Sequence, residues 1–245
     1  MEKLKRSKIR MFTYVVIIVA VAFCANWLYK NRRVHFEDDM MRQVICLELG
    51  KDKDSKDITY RELEQIEELR IGPVGTFETI EDVAKCKNLK QLLVNVEITD
   101  RDAYYELYQK TEDGKMYYPP IDEKKIKKVQ DELEKILKRD KKIEVFRFTN
   151  VNESCNIKSF EFLKYAKNLR EIGISFANAK DYSVLKNCSK LRSVDLWHSD
   201  IENVGVFLEL KYVNRLILTG TPLAQNEEEI AKLKIAFPEA KIVVD

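Results

Sequence analysis

The chain has 245 residues, enough for one solenoid domain or two small globular ones. Charged residues make up 34% of it, yet 43 basic against 41 acidic side chains leave a formal charge of only +2, which gives no reason to expect nucleic acid or an acidic polymer as partner. Seven Gly and five Pro exclude a low-complexity chain. Five scattered cysteines (Cys24, Cys46, Cys86, Cys155 and Cys188), with no C-x-x-C pair and only two histidines, argue against a metal centre.

Residues 1–10 form a basic tail carrying Lys3, Lys5, Arg6, Lys8 and Arg10. Residues 11–29 then run without a charged side chain. At about 1.5 Å per helical residue this stretch is roughly 28 Å long, the thickness of a bilayer's hydrocarbon core. Phe12, Tyr14, Trp27 and Tyr29 sit near its two ends, where aromatic rings favour the membrane interface. Five cations before the stretch against Lys30, Arg32 and Arg33 after it predict a cytoplasmic N-terminus and an extracytoplasmic remainder. Two readings stand for the segment. Ala20-Val21-Ala22 is a fair cleavage site, which would release a secreted protein, whereas the apolar run through Phe23–Tyr29 favours an uncleaved anchor. Residues 30–43 read as a linker and N-terminal cap.

From residue 44 to 245 one spacing recurs. It is seen at Val44-x-x-Leu47-x-Leu49, Ile66-x-x-Leu69-x-Ile71 and Leu89-x-x-Leu92-x-Val94, and then at Ile143-x-x-Phe146-x-Phe148. The fullest copies begin at Leu169, Leu191 and Val213, each 22 residues after the last. After a helical turn at Glu227–Phe237, the C-terminal AFPEAKIVVD supplies a last, truncated strand. Each copy is L-x-x-L-x-L-x-x-N-x-L with Ala177, Ser199 or Thr221 at the Asn position of the last three. A hydroxyl can partly replace that amide in bonding the turn; Ala177 has none to offer.

This pattern resembles the leucine-rich repeat family, in its 22-residue bacterial internalin-like class. The resemblance implies an α/β solenoid with a parallel β-sheet on the concave face and short helices, such as Ser159–Lys167 and Asp181–Cys188, on the convex face. Cys86 and Cys188 fall in the same slot of their repeats, three residues before the anchor. At about 4.8 Å per strand, three steps place them roughly 14 Å apart, beyond the ~7 Å that a disulfide spans. Buried reduced thiols follow, and an extracytoplasmic chain without a bridge suits a bacterial origin.

Leu89 and Ile143 are separated by 54 residues where two repeats would take about 44, so the region 99–142 reads as a helical insertion. Thr99–Lys110 opens on a helix-capping residue, Tyr117-Tyr118-Pro119-Pro120 breaks the chain, and Asp122–Lys142 carries Ile126, Val129, Leu133, Ile136 and Leu137 on one face. The insertion either packs on the solenoid or protrudes as a partner-docking pair, with Tyr104, Tyr105, Tyr108, Tyr117 and Tyr118 as anchors.

No phosphate-binding loop, G-x-S-x-G or H-E-x-x-H is present, so neither an enzyme, a cofactor nor a metal is expected. His198 reads as a surface-loop residue. Period-2 alternation puts Cys46, Glu48, Glu68, Arg70, Gln91, Leu93, Asn95, Val145, Arg147, Thr149, Glu171, Ser175, Ser193, Asp195, Trp197, Arg215, Ile217 and Thr219 on the concave face. Of these, Arg147, Glu171, Asp195, Trp197, Arg215 and Ile217 are the candidate ligand-binding set, because an exposed Trp among charges has the composition of a binding hot spot. The expected function is a membrane-tethered module of the cell envelope that recognises a protein, or a glycan, without catalysis. The alternative is a scaffold of an envelope complex, assembled through the insertion.

Overall fold

The computed structural model describes residues 2–96, 104, 106–149 and 157–245, the first nine as backbone alone. Helix α1 (Glu2–Lys30) is continuous, and its Met11–Lys30 stretch is long and apolar enough to cross a membrane, with none of it buried against the rest of the chain. The segment after it is not a free linker. Val34 N–H donates to Ile58 O (2.7 Å), Tyr60 N–H donates to Arg32 O (3.3 Å), and Arg33 bridges Thr59 in antiparallel fashion.

Residues 44–49 do not form the strand expected of them. Residues 44–48 belong to α2 (Asp39–Glu48), which Leu49 caps at its C-terminal end and whose Met41, Val44, Ile45 and Cys46 are buried. Two features outweigh the repeat-like spacing. Asp38 caps the helix by accepting from Met41 N–H at 2.8 Å, and the apolar side chains fall at i, i+3 and i+4, the period of one helix face. Cys46 and Glu48 are therefore not on the concave sheet. A helix at this end closes its own backbone hydrogen bonds while covering the apolar end of the stack, as a capping element must. The short α3 (Tyr60–Leu63) completes the cap with a capping box between Thr59 and Glu62.

Seven strands follow: β1 (Glu68–Ile71), β2 (Gln91–Val94), β3 (Val145–Phe148), β4 (Glu171–Ile174), β5 (Ser193–Asp195), β6 (Arg215–Ile217) and β7 (Lys241–Val243). They form one parallel sheet in chain order. The register matches the spacing read from the sequence, with Glu171 opposite Ser193, Ser193 opposite Arg215, and Gln91 opposite Val145 across the insertion. Inward positions such as Leu92, Phe146, Ile172, Val194 and Leu216 are fully buried. A solenoid of the leucine-rich repeat type is thus established by the strand register itself.

Return segments on the convex side are 3-10 turns at Glu81–Lys85, Glu161–Tyr165 and Ser183–Asn187. They end alike: Cys86, Ala166 and Cys188 each donate N–H to the residue three back, and each carbonyl accepts from the anchor Leu of its repeat. That shared slot admits only a small side chain. Cys86 and Cys188 fill it as free thiols three strands apart, and burial pushes both up to about 12. Alkylation of the native protein with iodoacetamide is expected to leave Cys46, Cys86 and Cys188 unmodified until denaturant is added, as peptide mapping would show.

The insertion supplies the return between β2 and β3. Helix α4 (Glu123–Arg139) starts at its cap Asp122 and buries Ile126, Val129, Leu133, Ile136 and Leu137 against the neighbouring 3-10 turns. Its buried Glu132 accepts from Thr79 Oγ1 (2.7 Å) and Ile80 N–H (3.0 Å). Of the helix expected at Thr99–Lys110, residues 99–103 and 105 lie outside the described residues, and 106–110 form a turn in which Lys110 bridges Met116. Farther on come the one-turn α5 (Gly205–Leu208) and α6 (Glu227–Ala236), the latter capped by Asn226.

Candidate functional site

The sheet brings the six candidate residues together on β3–β6 and the turn just beyond. Glu171, Ser193 and Arg215 form one cross-strand row, and Arg147, Gly173, Asp195 and Ile217 form the next. Arg147 Nε donates to Glu171 Oε1 at 2.9 Å, and its Nη2 reaches the same oxygen. Gly173 is buried closely between these groups: a Cβ there would sit 3.3 Å from Arg147 Cγ and 3.7 Å from Asp195 Cβ, so glycine lets the Arg147 side chain lie across the strand. Arg215 is exposed and makes no ion pair among the described residues.

Asp195 sits in the middle. Burial pushes its carboxyl up, Glu171 adds to the rise, and the Trp197 N–H (3.2 Å from Oδ1) with Arg147 and Arg215 partly counters it. A carboxyl whose pKa is higher in the folded than in the unfolded state costs stability once it ionises in the fold. That cost grows as pH rises from the unfolded value through the folded one and stays constant above both. Asp195→Asn is therefore expected to raise the thermal midpoint at pH 7 and to leave it unchanged at pH 3, where both side chains are neutral. Calorimetry at the two pH values checks this.

Beyond the sheet the chain does something the sequence reading missed. Phe176 (φ 53°), His198 (φ 54°) and Gly220 (φ 71°) occupy the same slot of three consecutive repeats, seven residues after the anchor, and all are left-handed. For a bulky side chain this conformation costs on the order of 1–2 kcal/mol, and such strain gathers at functional sites. In the first two it turns the N–H toward the next repeat: Phe176 N–H donates to Trp197 O (2.9 Å) and His198 N–H to Thr219 O (2.8 Å). The rings of Phe176 and His198 stack 5.1 Å apart at 15°, and Trp197 stands edge-on to both, at 5.0 Å and 4.2 Å. Gly220 makes room for this cluster, because a Cβ there would approach the His198 ring to 2.6 Å. Trp197 keeps 38% of its surface exposed. Alongside lies a depression of about 280 Å³ walled by Phe176, His198, Gly220 and Pro222. His198 is the exposed loop residue expected, but a ring in a cluster rather than an isolated one.

Two positions expected on the concave face are buried instead. Ser175 is 7% exposed and Asn95 is 2% exposed. Asn95 Oδ1 accepts from Val74 N–H (3.1 Å), and its amide donates to Thr149 O (3.0 Å), tying three successive repeats. Ser199 does similar work: its hydroxyl accepts from Ala177 N–H (3.0 Å) and donates to Ile174 O (3.1 Å), serving the repeat whose own position lacks a polar group. Thr221 bonds only within its own turn, to Leu218 O and Ala224 N–H. On the insertion, Tyr104 and Tyr108 are buried, and Tyr108 Oη accepts from Gly72 N–H at 3.0 Å, so neither is available to a docked partner. Tyr105 lies outside the described residues.

The fold and this face define a solenoid scaffold of the leucine-rich repeat type with a mixed aromatic and charged concave surface. No family model and no curated protein matches the chain. Among solved structures it is similar to an internalin from Listeria monocytogenes, at 22% identity and TM-score 0.46, covering 77% of this chain and 47% of that one. It is also similar to internalin C2 from Listeria monocytogenes (19%, TM-score 0.37, covering 76% and 86%). A leucine-rich repeat protein from Leptospira interrogans matches at 15% and TM-score 0.38, covering 74% and 50%. The chain thus spans about half the length of the first and third of these proteins.

Proposed function

We propose that the protein is a membrane-tethered, extracytoplasmic binding module that recognises a protein partner through the concave strands β3–β6, with Trp197 as the anchoring contact. The observation that carries this reading is the Phe176–Trp197–His198 cluster, with Phe176 and His198 in left-handed backbone, at the edge of the sheet beside Asp195 and Arg215, the latter exposed and without an ion pair among the described residues. Exposed aromatic and arginine side chains grouped on one face are the composition of interface hot spots. Rigid presentation also lowers the ordering cost of binding. Arg147 and Glu171, already paired, and Ile217 would form the surrounding contacts. A membrane-crossing α1, a cytoplasmic N-terminus and the absence of catalysis belong to the same proposal.

The test is capture by photo-cross-linking from position 217, using a soluble fragment that begins at Asn31 so that α2 and its cap remain whole. A fragment beginning at Val44 would cut α2 in two. Capture of a protein that is lost in Trp197→Ala/Arg215→Ala is the expected result. Capture of a glycan changes the ligand class. Capture that survives the double variant but disappears when α4 is deleted moves the binding site to the insertion. Protection of the repeat domain from protease on intact cells would overturn the topology.

A further inference from the structure

Cations and aromatic rings converge where α1 meets the repeats. Tyr29, in the last turn of α1, stacks on Tyr60 of α3 with centroids 4.9 Å apart at 19°. Arg32 lies over both rings, 5.9 Å from Tyr29 and 5.6 Å from Tyr60. Lys87, 58 residues from Tyr29 in sequence, lies 4.9 Å over the same Tyr29 ring and donates to its hydroxyl at 3.3 Å. Arg32 and Lys87 are exposed, and neither makes an ion pair among the described residues. The carboxylates nearby are committed elsewhere: Glu64 to Lys30 (2.6 Å), Asp57 to Arg33 (2.6 Å) and Glu67 to Lys90 (2.7 Å). What remains at the helix exit is surplus positive charge set on amphipathic rings.

We propose that Arg32 and Lys87 form a binding site for a phospholipid headgroup of net negative charge, on the side of the bilayer from which α1 emerges. This rests on α1 crossing the membrane. A helix apolar up to Tyr29 leaves Tyr29 and Arg32 at headgroup depth, the level at which tyrosines and arginines anchor. Lys87 reaches that level only because the cap and first repeat dock on the helix end, so a bound headgroup would hold the domain against the membrane surface. Each cation at this depth strengthens binding to an anionic lipid about fivefold, so the pair is expected to favour it roughly 25-fold.

Native mass spectrometry of the full chain in detergent, titrated with phosphatidylglycerol or phosphatidylcholine, tests the site. Lys3, Lys5, Arg6, Lys8 and Arg10 are replaced by Gln throughout, so that the other helix end does not contribute. One phosphatidylglycerol is expected to bind about 25-fold more tightly than phosphatidylcholine, and Arg32→Gln/Lys87→Gln is expected to abolish the preference. Both side chains are exposed, so an unchanged unfolding midpoint verifies that the variant is folded. Equal affinity for the two lipids overturns the site, as does a preference that survives the double variant. Alkaline extraction of membranes carrying the wild-type chain tests the premise separately: release into the supernatant means that α1 does not cross, whatever the lipid preference.

Discussion

Trp197→Ala is expected to weaken capture of the partner by roughly thirtyfold or more while leaving the fold intact. The factor is that of a hot-spot truncation of about 2 kcal/mol. Trp197 makes no hydrogen bond through its ring among the described residues, and its surface is 38% exposed, so its removal leaves no large cavity in the core. Phe176→Gly gives a sharper diagnosis. It removes a ring from the cluster and at the same time relieves the left-handed backbone at φ 53°. Binding is therefore expected to fall while the backbone contribution to stability improves, which a merely structural cluster would not do. Leu93→Ala, on the same face but three strands from Asp195, is expected to change affinity by less than about threefold, since most interface contacts are energetically near neutral. Calorimetric titration of the three variants checks the order. Equal losses in all three would dissolve the cluster into a general surface.

Asp38→Ala is expected to destabilise the domain by about 3–5 kcal/mol. Its carboxylate is 3% exposed and accepts three backbone N–H groups: Met41 (2.8 Å), Glu78 (2.6 Å) and Thr79 (3.2 Å). Removing it uncaps α2, leaves the buried Met41 N–H without its acceptor and takes a charged acceptor from the half-buried Thr79 and exposed Glu78 N–H groups, at about 1–3 kcal/mol for the buried donor and less for the others. The neighbouring Asp82, fully buried, accepts from Glu37 and Asp38 N–H at 2.9 Å and 3.0 Å, so the two carboxylates bind the cap to the first repeat in both directions. For a domain of this size the thermal midpoint should fall by roughly 6–20 °C. Asp38→Asn, which keeps one acceptor oxygen, should lose markedly less. A drop under 2 °C for the alanine variant would mean that the cap contributes little.

How far the sequence could be read follows from the distance over which each signal acts. The strands were legible because one local spacing, repeated at Ile66, Leu89, Ile143, Leu169, Leu191 and Val213, fixes both the inward side chains and the register. At Val44 the same letters were satisfied by a helix, because spacing i, i+3 is common to both patterns and Asp38 decided between them. Asn95 and Ser175 were misplaced for a related reason. Both lie just past the strand end, where alternation no longer dictates the facing of a side chain: the same slot is buried at Asn95 and Ser175 but exposed at Trp197. The aromatic cluster was half visible. Trp197 followed from alternation, while Phe176 and His198 required noticing that one slot takes a residue with positive φ in three consecutive repeats. The Tyr29–Lys87 contact had no local signal at all, being made by tertiary docking.

The polar side chains that cross from repeat to repeat are unevenly distributed. Among the buried polar residues, Asp38 and Asp82 bind the cap to the first repeat, Glu132 joins α4 to it, Asn95 spans three repeats, Ser199 spans two, and the Thr221 hydroxyl bonds within its own turn, while the ties nearer β7, from Asp200 to Tyr182, Glu229 to Val204 and Thr219 to Asp245, are half-buried or exposed. In a stack where each layer touches only its neighbours, such ties set how far an opening must spread before it costs more. Amide exchange should accordingly be slowest around β1–β3 and quicken toward β7. The domain would unzip from the side of β7, and the layers next to α1 would be the last to let go.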